Sequence, residues 1–306
     1  VTKKSRVHTT SDFPYAIRSF LGYLEGTSKA LHTIKSYRLD LLSFQRFLKL
    51  EQSELGDRSI SLEAITPDNI ERYHSWLKSQ GLKNNTRRRK LLTVQKFANY
   101  LAQRKKTSQE IPVKYPTPHK VERIPAIVSL SELLNAIQKL PAESILDLRN
   151  RALLWTMAET GCLVSEVTRL RYENWILGSH EVEFVGKSQR KLHISERLGL
   201  AIEELREKTH ESQSKPCPWV FSGFNKFGSL GSPITPRGVE LLVKHYASQL
   251  GFPELTPRTF RHSAVIHWME QGIQQKQIQE ILGLKSNYAF RVYDLIVNAR
   301  SSRGAS

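Results

Sequence analysis

Cysteine is scarce in this chain. The two present in 306 residues, Cys162 and Cys217, stand in no Cys-x-x-Cys or Cys/His cluster, which argues against a disulfide framework and a thiolate zinc site. A reducing, cytoplasmic setting is therefore expected, with no metal and no cofactor. No apolar run approaches the roughly 18 residues that cross a bilayer, and the opening VTKKSRVHTTSD has no hydrophobic signal region. Neither export nor membrane spanning is expected. The chain starts at Val1 rather than Met, so the expectation is that native residues precede it. Acidic residues are also few: 29 Asp and Glu face 46 Lys and Arg, a formal net charge of +17. The excess is uneven, with 24 basic and 11 acidic residues over 1–125 (+13) against 22 and 18 over 126–306 (+4). A polyanion is the partner such a balance suits, and the basic half is the expected clamp. The plain alternative is a basic protein without one.

What is present is mostly helical periodicity. Ser11 or Asp12 is placed to cap a helix whose apolar face is Phe13, Ile17, Phe20, Leu21 and Leu24, and a second face runs Ile34, Tyr37, Leu41, Phe44, Leu48. Thr66-Pro67 opens a third helix that buries Ile70, Tyr73 and Leu77 and ends at Gly81. Asn85 or Thr86 is expected to cap a fourth, with Leu91, Val94, Phe97 and Leu101 inward. Arg87, Arg88, Arg89 and Lys90 crowd its first turn, where the helix dipole disfavours cations, so a phosphate partner explains them better than helix stability does. From Lys105 to Pro125 periodicity stops and four prolines fall close together, predicting a semi-stiff linker. At roughly 3.1 Å per residue it spans several tens of ångströms. The expected organisation is a helical domain over 1–104, a linker over 105–125 and a second domain over 126–306, mainly α with a small β-sheet.

In the second domain Ser129 or Ser131 caps a helix with Leu133, Leu134, Ile137 and Leu140 inward, and RNRALLWTMAETGCLVSEVTRLRYENW follows from Arg149. HEVEFVGKSQRKLHIS alternates around Gly186-Lys187-Ser188 as a β-hairpin, WVFSG from Trp219 reads as a short strand, and Thr235 caps a further amphipathic helix. The last stretch, Thr256 to Tyr293, reads as helix, Gly272 break, helix, Gly283 break, and a final helix carrying Tyr293. Arg258 and Arg261 stand one turn apart on the first of these, so two guanidinium groups converge on one anion.

Arg258-x-x-Arg261-His262, Leu282-Gly283-Leu284 and Tyr293 nine residues later resemble the closing pattern of the tyrosine recombinases, the phage integrase family, particularly its Xer-type members. That pattern is His-x-x-Arg-His, Leu-Gly-His and a nucleophilic tyrosine. Three further boxes fit in order. TIKSYRLDLLSF is similar to the opening of the family's core-binding domain. Arg151-Ala152-Leu153-Leu154, Thr160-Gly161, Ser165-Glu166 and Leu170 follow its first catalytic box, with Leu163 where that box has an arginine. Lys187 sits where the family carries a lysine on a β-turn. Together the boxes cover roughly residues 11 to 299.

The resemblance implies a two-domain tyrosine-recombinase architecture closing on duplex DNA as a C-shaped clamp. It also implies metal-free transesterification, in which the tyrosine attacks a scissile phosphate to give a 3′-phosphotyrosyl link and a 5′-hydroxyl. By position Tyr293 is the nucleophile, Arg261 and Arg258 hold the non-bridging oxygens, and Lys187 is the acid. Three departures weaken that set. Leu163 removes a bidentate donor, Arg258 stands where a histidine takes a proton, and Leu284 stands where a histidine or tryptophan donates to the phosphate. Tyr288 is expected to pack rather than react. His262, about 100° round the helix from Arg261, is expected to be a core or supporting histidine, with His267 and Trp268 in helix packing and Cys162 a small buried residue. The tail DLIVNARSSRGAS either docks on a neighbouring subunit, as the resemblance implies, or packs on its own domain. Double-stranded DNA is the implied partner, with homo- or hetero-oligomers of recombinase subunits on it. A degenerate DNA-binding relative is the leading expectation. A working recombinase is the alternative, and an unrelated RNA-binding protein is a third reading.

Overall fold

The computed structural model describes residues 13–27, 29–51, 60–104, 125–176, 180–186, 188–212, 217–224, 230–284 and 290–304. Ser11 and Asp12, the linker to residue 124, Lys187 and Tyr288 lie outside them. The chain divides into two compact units, Val1–Arg123 and Ile124–Ser306.

The first unit holds helices α1 (Phe13–Gly26), α2 (Leu31–Glu51), α3 (Pro67–Ser79) and α4 (Asn84–Gln103). Aromatic side chains dominate its core: Phe13, Phe20, Phe44, Phe47, Tyr73 and Phe97 are all under 2 % exposed and meet mostly edge-on or tilted, with Phe44 and Phe47 stacked. α3 starts as its sequence dictates, with Thr66 Oγ1 accepting from Asn69 N at 3.1 Å and Pro67 in the first turn. α4 differs from expectation. It begins at Asn84, and neither Asn85 nor Thr86 caps it; the cap position is Lys83, whose side chain makes no capping bond. The Asn84 amide oxygen instead accepts from Arg87 Nη2 at 3.2 Å.

The second unit is helical around two small sheets. Ser129, not Ser131, caps α5 (Leu130–Gln138), accepting from Glu132 N. A Ser144/Asp147 capping box opens α6 (Ile145–Thr160), which buries residues on nearly every side and forms the unit's axis. The one-turn α7 (Val164–Val167) follows. Next come β1 (Trp175–Ile176), β2 (Glu181–Phe184) and β3 (Arg190–His193), antiparallel in order β1-β2-β3 with Val182 opposite Leu192 and Phe184 opposite Arg190. After α8 (Glu196–Glu211), a two-stranded sheet pairs β4 (Ser222–Phe224) with β5 (Leu230–Pro233). The expected strand from Trp219 starts three residues later than read; Trp219 makes only an isolated bridge to Arg171. α9 (Pro236–Ala247), α10 (Pro257–Glu270), α11 (Gln275–Leu282) and α12 (Phe290–Gly304) complete the unit. Thr235 and Thr256 cap α9 and α10, each with proline at the first helical position. No described helix is long and apolar enough to cross a membrane.

Candidate active site

α10 is the frame. Its residues Arg258, Arg261 and His262 flank a buried strip of Phe260, Ser263, Ala264, Val265 and Ile266. Arg258 is exposed and Arg261 half-buried. Arg261 donates through Nη1 to Gly161 O at 2.9 Å and through Nη2 to Leu282 O at 3.1 Å. Those carbonyls end α6 and α11, where acceptors lack intrahelical partners and the dipole is negative, so one guanidinium ties two helix ends together. Close approach needs glycine at the first of them. Gly161 has φ +58°, and a Cβ there would sit 3.3 Å from the Trp268 ring. Two of the five guanidinium N–H groups are used in this way, leaving three without a partner among the described residues.

A second arginine binds the site's pieces together. Arg190 pairs with Glu166 through both Nη atoms, at 2.5 and 3.0 Å, while Nε donates to Ile281 O at 2.6 Å and Nη1 to Ser188 O at 3.2 Å. It thus connects the start of α7, the hairpin turn and the end of α11. Glu166 Oε2 also accepts from Leu163 N at 2.7 Å, closing the first turn of α7. Leu163 itself is 46 % exposed, a large apolar side chain facing solvent where the resemblance expects an arginine. Arg171 does not replace it: its Nη1 is on Glu173 at 3.0 Å and its guanidinium lies over Trp219. Cys162 is buried as expected, with a thiol that burial pushes up to about 12, so it is not a nucleophile.

Tyr293 is 6 % exposed, held on α12 among Val265, Ile266, Ile278, Leu282 and Phe290. Its hydroxyl meets His262 Nδ1 at 2.6 Å. α12 packs on the side of α10 that His262 faces, so the half-buried imidazole touches the candidate nucleophile. Burial raises the phenol above its usual range, and the Arg261 charge offsets part of that. Burial, then Arg258, then Arg261 lower the imidazole below its usual range. Leu284 packs partly buried against the α12 cluster, and only its backbone makes polar contacts, accepting from Gln279 Nε2 at 3.0 Å. Lys187 and Tyr288 lie outside the described residues. The adjacent Ser188 sits against Gly283, whose φ of +61° and added Cβ at 2.5 Å from Ser188 Cβ leave room for glycine alone. Ile296 and Val297 pack on this unit's own cluster, while Leu295 stays 71 % exposed.

The four cations at the start of α4 belong to the first unit. Arg89 and Lys90 both pair with the fully buried Asp40, Lys90 at 3.4 Å, and Thr93 Oγ1 donates to the same carboxylate at 3.1 Å. Fold stability therefore does account for two of the four. Arg87 and Arg88 have no carboxylate partner among the described residues.

Chemically, the second unit offers a phenol hydrogen-bonded to an imidazole and one pre-oriented guanidinium, with Arg258 exposed on the same helix. It lacks a donor at Leu163 and at Leu284, and no group of three or more metal-ligating side chains exists among the described residues.

The chain matches the phage integrase family over residues 128–295 and the phage integrase N-terminal SAM-like domain over residues 17–105. It is 28 % identical over 291 residues to tyrosine recombinase XerC of Halalkalibacterium halodurans, covering 93 % of each chain. With tyrosine recombinase XerD of Oceanobacillus iheyensis it shares 26 % over 295 residues, 94 % of this chain and 95 % of that one. Among solved structures, XerH recombinase in a post-cleavage complex with palindromic difH substrate superposes with a TM-score of 0.69 at 20 % identity, covering 90 % of this chain and 80 % of that one. The Tn1549 transposon integrase in complex with transposon right end DNA superposes at 0.67 and 16 %, covering 95 % and 99 %.

Proposed function

The chain belongs to the phage integrase family of tyrosine recombinases, and from that premise we propose that it binds duplex DNA at a site of site-specific recombination with a depleted catalytic set. The observation that carries the depletion is Leu163: an exposed leucine occupies the start of α7, beside the Arg190–Glu166 pair, at the first catalytic box. A phosphate there finds Arg261 and Arg258 but not the further fork that an arginine at position 163 would add. Leu284 supplies no donor, and Arg258 holds an anion without taking a proton. Duplex binding is supported by the net charge of +17 and by relatives whose solved complexes contain DNA. Arg87 and Arg88, without carboxylate partners among the described residues, are the sequence-independent phosphate contacts; Arg89 and Lys90 add charge while held by Asp40. The domain division at 104 and 126 and assembly with other recombinase subunits are parts of the same reading.

A second reading, a working recombinase, is favoured by one observation, the 2.6 Å contact between His262 and the Tyr293 hydroxyl. The test uses a duplex selected from random sequence and nicked so that cleavage traps the covalent adduct. The expected outcome is tight binding with adduct formation that is slow or absent, lost in Tyr293→Phe, and raised about 10²-fold or more in Leu163→Arg. Rapid trapping by the unaltered chain, with no gain from Leu163→Arg, would establish the second reading instead.

A further inference from the structure

We propose that His262 is the general base for Tyr293, taking the phenol proton that Arg258 cannot accept. The inference rests on the reading that a scissile phosphate meets this site, and it adds that the depletion is confined to the phosphate clamp while activation of the nucleophile survives by another route.

Geometry comes first. His262 Nδ1 is already at hydrogen-bond distance from the reacting oxygen, 2.6 Å, with the two rings 5.7 Å apart and tilted. Both partners are fixed from behind. His262 lies between Arg261, anchored on two helix ends, and the fully buried Ser263, whose hydroxyl accepts from Val128 N at 3.0 Å. Tyr293 is held in the α12 cluster.

Protonation comes second. The titratable groups acting on the imidazole are Arg258 and Arg261 from its own helix and Tyr293 from α12. The two cations and burial keep it neutral, so with its proton on Nε2 the Nδ1 lone pair accepts from the phenol. Burial keeps the phenol protonated at neutral pH, so attack needs a base. Arg258 gains a role here: a cation one turn away holds the base unprotonated until substrate arrives. A bound phosphodiester brings a negative charge that offsets the arginines, raising the imidazole's proton affinity at the moment it is used. In the step, the Tyr293 oxygen bonds to phosphorus, its proton passes to His262 Nδ1, and the phosphorus–5′-oxygen bond breaks. The leaving oxygen gains a proton from the ammonium of Lys187, the acid by resemblance, and reversal returns the His262 proton to the phenol and the 5′-hydroxyl proton to Lys187.

The experiment isolates attack from leaving-group protonation by using a duplex with a bridging 5′-phosphorothiolate at the scissile position, from which thiolate departs without an acid. The unaltered chain is expected to accumulate a covalent adduct, and Tyr293→Phe none. His262→Ala is expected to slow accumulation by about 10²–10⁴-fold, with part of the rate recovered by imidazole in the buffer. His262→Gln keeps a hydrogen-bond partner on the phenol and guards against misfolding; it is expected to bind duplex normally and stay slow. A His262→Ala or His262→Gln rate within about threefold of the unaltered chain overturns the assignment. So does an unaltered chain that binds the phosphorothiolate duplex without ever linking to it, an outcome that leaves DNA binding standing. Failure to bind any duplex counts against the proposed function itself.

Discussion

At the scale of single residues, the site depends most on Arg190, which no spacing motif marks. Its side chain is 6 % exposed and its partner Glu166 14 %, so removing the cation strands a largely desolvated carboxylate. Arg190→Ala is expected to destabilise the second unit by about 3–5 kcal/mol, seen as a fall in the urea midpoint, with Arg190→Lys in between because one ammonium cannot replace the fork. A midpoint unchanged in Arg190→Ala would show the pair to be incidental. The sequence did hold a signal for this residue. On β3, Arg190 shares a face with Leu192 and lies opposite Phe184, both buried, and a cation on the apolar face of a hairpin needs an anion beside it. The contact between His262 and Tyr293 was illegible for a different reason. The angle of His262 from Arg261 on a helical wheel is correct, but a wheel does not say which neighbouring helix covers that side, and α12 does. A pH measurement follows from that burial. Because His262 has a lower pKa folded than unfolded, the unfolded chain binds more protons through the ordinary imidazole range. The associated stability is complete above that range and lost as pH falls through it toward the folded value. His74 is lowered as well, so the informative quantity is a difference. Between about pH 7 and about pH 5, the urea midpoint of His262→Gln is expected to fall less than that of the unaltered chain.

At the scale of elements, the helix starts were legible because they are written in local chemistry. Thr66-Pro67, Thr235-Pro236 and Thr256-Pro257 each supply a capping hydroxyl and a proline that sets φ, and each opens a helix. The break at Gly283 was legible too, but not its purpose. The C-cap of α11 adopts left-handed φ in order to turn the chain, and the absence of a side chain also lets the β2–β3 turn close on it. Gly283→Ala meets both problems, a left-handed penalty of about 1–2 kcal/mol and a Cβ overlapping Ser188. It is expected to lower the thermal midpoint and to slow any adduct formation more than its stability loss alone would, because the turn's neighbour Arg190 bridges the same elements. Contacts made across long sequence separation were the illegible ones. Asp40 reads as one polar position on an amphipathic helix, and only the packing of α2 on α4 shows that it lies under Arg89 and Lys90.

At the scale of the whole chain, the charge is apportioned unequally between the two units, and the proportions decide what each contributes to DNA. The first unit carries 24 basic against 11 acidic residues, while the second, with its tyrosine, holds 22 against 18. Affinity that does not depend on sequence should therefore come mainly from the first unit. Within it the cluster at α4 divides by partner. Arg89 and Lys90 spend part of their field on a buried carboxylate, whereas Arg87 and Arg88 have none among the described residues. Arg87→Gln with Arg88→Gln is expected to weaken binding about equally on every duplex and to flatten the plot of log K against log salt by about 0.9 per lost phosphate contact. The fold should be untouched, since the cations facing Asp40 remain. Asp40→Asn is the opposing control. It frees Arg89 and Lys90 toward an anion but removes their anchor, so it should lower stability while leaving the salt slope as steep or steeper. If the Arg87/Arg88 pair leaves both slope and affinity unchanged, α4 does not face DNA, and the excess of the first unit must act through other helices.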